Sequence, residues 1–146
     1  MKKFPLLLLC LVFSVIVEAD ELAARNQVNG VFEDVRDAVV AAIESRGLVI
    51  NYTAHIADML TRTGADLGAT RQVFDKAEIV EFCSARLSRQ MMEADPHNIV
   101  LCPFALSIYT LPGEKGVVWV SYRRPPARAG KAVADMLEAI AAEAGR

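Results

Sequence analysis

Segments with a helical apolar period alternate along this chain with short β-branched runs, and that alternation restricts the fold more than any motif does. From Phe32 the apolar positions are 32, 35, 39 and 43, the spacing of one helical face, and Glu33 and Asp34 put negative charge where a helix N-terminus favours it. Gly47 stands where a helix ends, and "LVINYT", 48–53, follows as a strand. "HIADMLTRTG" gives Ile56, Met59 and Leu60 a short helical face stopped by Gly64, and a loop of about ten residues runs on from there. "AEIVEFC", 77–83, reads as a buried strand. Ser84 caps the next helix, which turns Leu87, Met91 and Ala94 to the core and ends at Asp95-Pro96. "IVLCPFALSIYTL" and "VVWVSY" flank Pro112–Gly116 as a hairpin, with Pro103 at a strand start or on an edge. The last segment repeats apolar residues at 133, 136, 137, 140 and 144, a helix whose one face needs a sheet to cover it.

The resulting order is strand, helix, strand, short helix, strand, helix, strand, strand, helix. It predicts an α+β single domain, a mixed β-sheet with helices packed mainly on one face. A length of 146 residues fits one core. That domain is expected over residues 30–146, and "DELAARNQVN", 20–29, reads as an N-terminal tether or a short edge strand before it.

The first 19 residues read as a signal peptide. Lys2 and Lys3 precede an apolar run from Leu6 to Val17, and Val17 and Ala19 form the pair before a cleavage point. The run is well short of the roughly 20 apolar residues that span a bilayer, so the membrane is met only through the leader, before cleavage near Ala19. Cys10 sits inside the run and leaves with it. The expected location is periplasmic or secreted. Without Lys2, Lys3 and Glu18, the 16 basic and 18 acidic residues fall to 14 and 17, a net charge of about −3. A mildly acidic domain lacks the basic footprint of a nucleic-acid binder. Its basic cluster, Arg123, Arg124, Arg128 and Lys131, reads as a solvated strand exit and helix start rather than an anion site.

Export leaves two cysteines, Cys83 and Cys102, in an oxidising compartment. They are candidates for a disulfide, for separate buried thiols, or for a reactive or metal-bound pair. A bridge requires "NIVL", 98–101, to run extended and return Cys102 beside Cys83, with the following strand antiparallel to the one ending there.

Several stretches together resemble the domain of unknown function 302 family over roughly residues 31–126. They are "FEDVRDAVVAAIESRGLVI", "AHIADML", "IVEFCS", "ADP" at 94–96, "LCPFALSIY" and "WVSYRRP". The resemblance implies a compact domain similar to the TATA-binding-protein type of α+β fold, and a homodimer as a partner arrangement. It implies no activity. Where members of the family carry Gly-Asn-Pro or Cys-Asn-Pro, this chain has Cys83-Ser84-Ala85, and it has Cys102-Pro103 where they have Pro-Cys. No site built on that motif carries over.

The remaining chemistry is sparse. His55 opens a helix at the end of a strand, where a capping or packing role competes with that of a base. His97 reads as a residue of the exposed turn "DPHN". Cys83, Cys102, His55, His97 and Met91 or Met92 have no metal-ligand spacing, and Met91 lies in phase with Leu87 as a core methionine does. There is no GxSxG elbow and no phosphate loop, and "NYT" at 51–53 is read as a chance sequon. His55, Tyr122 and Arg123 form a candidate ligand cleft if the strand ends meet. The expectation is an exported, non-enzymatic binding or accessory domain for a small ligand or protein partner, without cofactor. The alternative is a thiol redox or metal-handling protein using Cys83 and Cys102.

Overall fold

A computed structural model describes residues 22–146, so the predicted leader lies outside the described residues. The elements are β1 (Ala23–Asn29), α1 (Phe32–Glu44), β2 (Val49–His55), α2 (Ile56–Gly64), β3 (Lys76–Cys83), α3 (Ala85–Ala94), β4 (Phe104–Thr110), β5 (Val117–Arg123) and α4 (Lys131–Glu143). Two 3₁₀ segments, Pro96–Leu101 and Ala127–Ala129, stand before β4 and α4. Among the described residues, no helix is long and apolar enough to cross a membrane.

The fold is α+β, as the order of elements predicts, but the sheet is antiparallel throughout rather than mixed. Its order is β1-β5-β4-β3-β2. The helical connections explain the difference. The crossover through α1 carries the chain from one edge strand to the other, so β1 and β2 run in the same direction with three strands between them and form no parallel ladder. The other two connections return to the sheet end they left: His55 pairs with Glu78, and Phe82 pairs with Phe104.

Residues 23–29 correct the expected domain boundary. They are an edge strand paired with β5 along its whole length, so the sheet begins seven residues before Gly30 rather than after a tether. Sequence periodicity left them open between a tether and a short edge strand, because an edge strand with one polar face shows only Ala24 and Val28 buried.

The core lies on one face of the sheet. Val80, Phe82, Leu106, Ile108, Val118 and Val120 alternate along β3, β4 and β5 and are fully buried. Against them α1 lays Phe32, Val35, Val39 and Ile43, the four positions the period picks out, and α4 lays Val133, Leu137 and Ile140. Each such side chain contributes about 1.5–3 kcal/mol on burial. Leu87 and Met91 of α3 join the same cluster, while Ala94, the last residue of that helix, is exposed rather than turned to the core. Gly47 at φ +67° ends α1, and Ser84 Oγ accepts from Leu87 N at 3.3 Å to start α3.

Candidate functional site

The connection from α3 to β4 is where local sequence shapes a site. Asp95 accepts from His97 N at 2.9 Å and starts the 3₁₀ segment Pro96–Leu101. The chain therefore returns to the sheet by a tight turn, and "NIVL" is not extended. That turn buries Asn98, at 1% exposure the most enclosed polar side chain described, so "DPHN" is only partly the exposed turn it resembles. Asn98 Nδ2 donates to Met91 O at 3.1 Å, which closes the end of α3.

On the far side of β4, Pro125-Pro126 stop β5, and Gly130 at φ +85° turns the chain into α4, a backbone state that suits glycine. The short segment between them brings Arg128 back to the α3 turn. Its Nε donates to Asn98 Oδ1 at 3.2 Å. Arg123 and Arg124 leave the sheet beside it, held by Arg124 N donating to Leu22 O at 2.9 Å.

These two connections enclose a cleft of about 470 Å³ at the end of the sheet. Leu101, Phe104, Val133 and Leu137 give it an apolar wall; Arg123, Arg124 and Arg128 stand over it, and Glu81 is its carboxylate. Among the described residues none of the three arginines makes an ion pair, as is also true of Arg62, Arg71, Arg86 and Lys115, while Arg36, Arg46, Lys76, Arg89, Lys131 and Arg146 each do. The size and the mixture of apolar wall with few polar groups suit a small-molecule site. The basic cluster that reads as a solvated strand exit thus borders a cavity, and nothing in the sequence distinguishes Asn98 as the residue that orients part of it.

The candidate residues from the sequence are dispersed rather than joined. Arg123 and Cys102 both line this cleft. Tyr122 points to the face of β5 opposite Arg123, with Val118 and Val120, and lines an open groove of about 630 Å³ between β1 and α4, in which Arg124, shared with the cleft, and Glu138 also stand. Burial pushes its hydroxyl pKa up; Glu138 adds to the rise and Arg124 opposes it. His55 sits at the end of β2, in a row that runs through Glu78 and Ile108 to Val120, so three strand spacings, about 14 Å, separate it from β5. The single cleft of His55, Tyr122 and Arg123 does not form, because the strand order interposes β3 and β4.

His55 neither caps α2 nor faces a cavity among those described. Its Nδ1 lies 3.4 Å from Glu78 Oε1, and Arg36 approaches the same oxygen at 3.9 Å. Glu78 Oε2 is buried without a hydrogen bond among the described residues.

Both cysteines are free, so the disulfide is not formed. Asn51, at the irregularity of β2, donates its Nδ2 to Cys83 Sγ at 3.0 Å, while Cys102 Sγ lies 3.2 Å from Ser88 Oγ. The two thiols have separate partners. β4 does run antiparallel to β3, which the disulfide geometry also required, but Pro96–Leu101 makes the return as a 3₁₀ turn. Among the described residues no three His, Cys, Asp or Glu side chains group to hold a metal ion.

Comparison with known proteins gives a family and a fold. The family described as "Domain of unknown function DUF302" matches residues 25–146, a wider span than the 31–126 over which the motifs resemble it. Among solved structures, the chain is similar to an uncharacterized conserved protein DUF302 from Bacillus stearothermophilus, with a TM-score of 0.70 at 13% identity. That likeness covers 86% of this chain and 99% of the other. No protein with a curated description matches. Coverage from β1 through α4 establishes that the chain belongs to the DUF302 family.

Proposed function

We propose that the chain is an exported, non-enzymatic binding domain that takes its ligand into the cleft at the end of the sheet. One observation carries this reading: three arginines without a carboxylate partner among the described residues stand over the apolar wall of a cavity large enough for a small molecule. The apolar run behind Lys2 and Lys3 supports export to the periplasm or beyond. Separate hydrogen-bond partners for Cys83 and Cys102 favour binding over thiol redox or metal-handling chemistry, which needs the sulfurs together.

The test uses the full chain expressed with its leader. Intact mass should correspond to a protein beginning at Asp20, and extraction of the purified protein should release one small molecule in near-stoichiometric amount. Ala105→Trp, which fills the cleft from an exposed-side position of β4, should lose that molecule while the unfolding midpoint is kept. Retention of residues 1–19 would remove the export reading. An unchanged molecule in Ala105→Trp would move the site elsewhere.

A further inference from the structure

The cleft's own chemistry specifies more than a site. Resting on the reading of a ligand-binding cleft, we infer that its ligand is an anionic amphiphile, a single alkyl chain ending in a carboxylate or phosphate headgroup. Charge is the first argument. Three guanidiniums face one carboxylate, Glu81, and no ion pair among the described residues neutralises the arginines. Arg62, Arg71, Arg86 and Lys115 also lack an ion pair among the described residues, but they do not gather on one cavity: three arginines line this cleft, against one, Arg71, in the pocket beside α2. The local property is their convergence on one cavity, where a ligand anion can meet all three.

Preorganisation is the second argument. Asn98 is buried at 1% exposure and fixed through Met91 O, and it holds Arg128 by Nε alone. A neutral acceptor orients the guanidinium without discharging it, and leaves both terminal nitrogens to a bidentate oxyanion. A protein carboxylate in place of Asn98 would have done the opposite.

The wall is the third. Leu101, Phe104, Val133 and Leu137 continue from the arginines into the cleft, and Val100, 71% exposed, stands at its mouth. Phe104, Val133 and Leu137 are themselves nearly buried, so the apolar surface an alkyl chain would take from water lies on the chain and on Val100 and Leu22, 71% and 74% exposed. A nucleotide fits poorly by comparison, because neither a Gly-rich phosphate loop nor a free aromatic platform lines the cleft.

The experiment is calorimetric titration of the chain beginning at Asp20, below the probes' micellar concentrations, with methyl NMR signals of Leu101, Val133 and Leu137 followed in parallel. The probes are decanoate, octanoate, decyl phosphate, decanol and decyltrimethylammonium. Decanoate or decyl phosphate should bind, and the tighter of the two identifies the headgroup. Loss of each methylene should weaken binding about fourfold, the increment for burying one CH₂. Arg123→Gln, Arg124→Gln and Arg128→Gln should each weaken decanoate about tenfold, the size of one charge-assisted hydrogen bond. Equal binding of decanol or decyltrimethylammonium overturns the anionic class and leaves the cleft as a binding site. Absence of binding by every probe, with the three methyl signals unmoved, overturns the cleft reading as well.

Discussion

Arg46 and Arg128 each reach across from one element to another, and the difference between their partners separates a structural contact from a site. Arg46 makes a bidentate pair with Glu143, Nη1 to Oε2 and Nη2 to Oε1, both at 2.7 Å, and Nη1 also donates to Ala42 O at 2.6 Å. The carboxylate and the carbonyl at the end of α1 discharge it there, and the pair joins the C-terminal ends of α1 and α4. Arg128 instead meets the neutral oxygen of Asn98 and keeps its charge over a cleft. Where the chain supplies the anion, an arginine holds elements together. Where the chain supplies only an orienting amide, the anion is left to a ligand.

The helix α4 belongs to both regions, so the largest effect should come from it. Leu137 is 4% exposed and forms part of both the core and the cleft wall. Leu137→Ala should cost about 2–5 kcal/mol in urea unfolding and should weaken decanoate as well. Loss of binding at unchanged stability would mean that the wall is not part of the core.

The next effects should separate the two arginine regions. Arg123→Gln should lose decanoate affinity and shift stability by no more than about 0.5 kcal/mol, because its side chain is exposed and has no ion pair among the described residues. Arg46→Gln should leave decanoate affinity unchanged and lower stability at neutral pH. Its signature is the pH profile. The hydrogen bond from Arg46 holds the Glu143 carboxyl below the usual glutamate range, with the Arg46 and Arg146 charges adding to the shift against desolvation. Because that carboxyl is lowered in the folded state, its contribution is fully present above the ordinary glutamate value of about 4.3 and is lost as pH falls through the lower folded value. Chemical unfolding across that acid window should show a weaker pH dependence in Arg46→Gln than in the unaltered chain. A remainder should persist from Glu33, which Lys76 lowers in the same sense. An identical acid limb in both proteins would mean the pair does not close the helices in solution.

The smallest effect concerns the thiols. Titration of the unfolded chain beginning at Asp20 should count Cys83 and Cys102 as two free thiols, and reductant should leave its unfolding midpoint unmoved. A midpoint that falls with reductant would restore the bridge.

By itself the sequence determined what local physics controls. The positions 32, 35, 39 and 43 and the repeat from Val133 to Ala144 name the two helices that cover the sheet, and Ser84, Gly47 and Pro112–Gly116 place a cap, a stop and a hairpin. Those signals are periods and capping preferences, which act within a few residues. Only the tertiary structure decided strand order, and strand order decided the site. It set His55 three strands from β5, where the sequence had grouped it with Tyr122 and Arg123, because loop composition does not encode which edge a crossover reaches. It made an edge strand of 23–29, since β5 supplies the hydrogen bonds that its polar face conceals in sequence. It also brought Asn98 to Arg128, 30 residues on, and turned a stretch of solvated arginines into the rim of a cleft. Residue types fix which charges exist, and the fold fixes which of them remain unpaired.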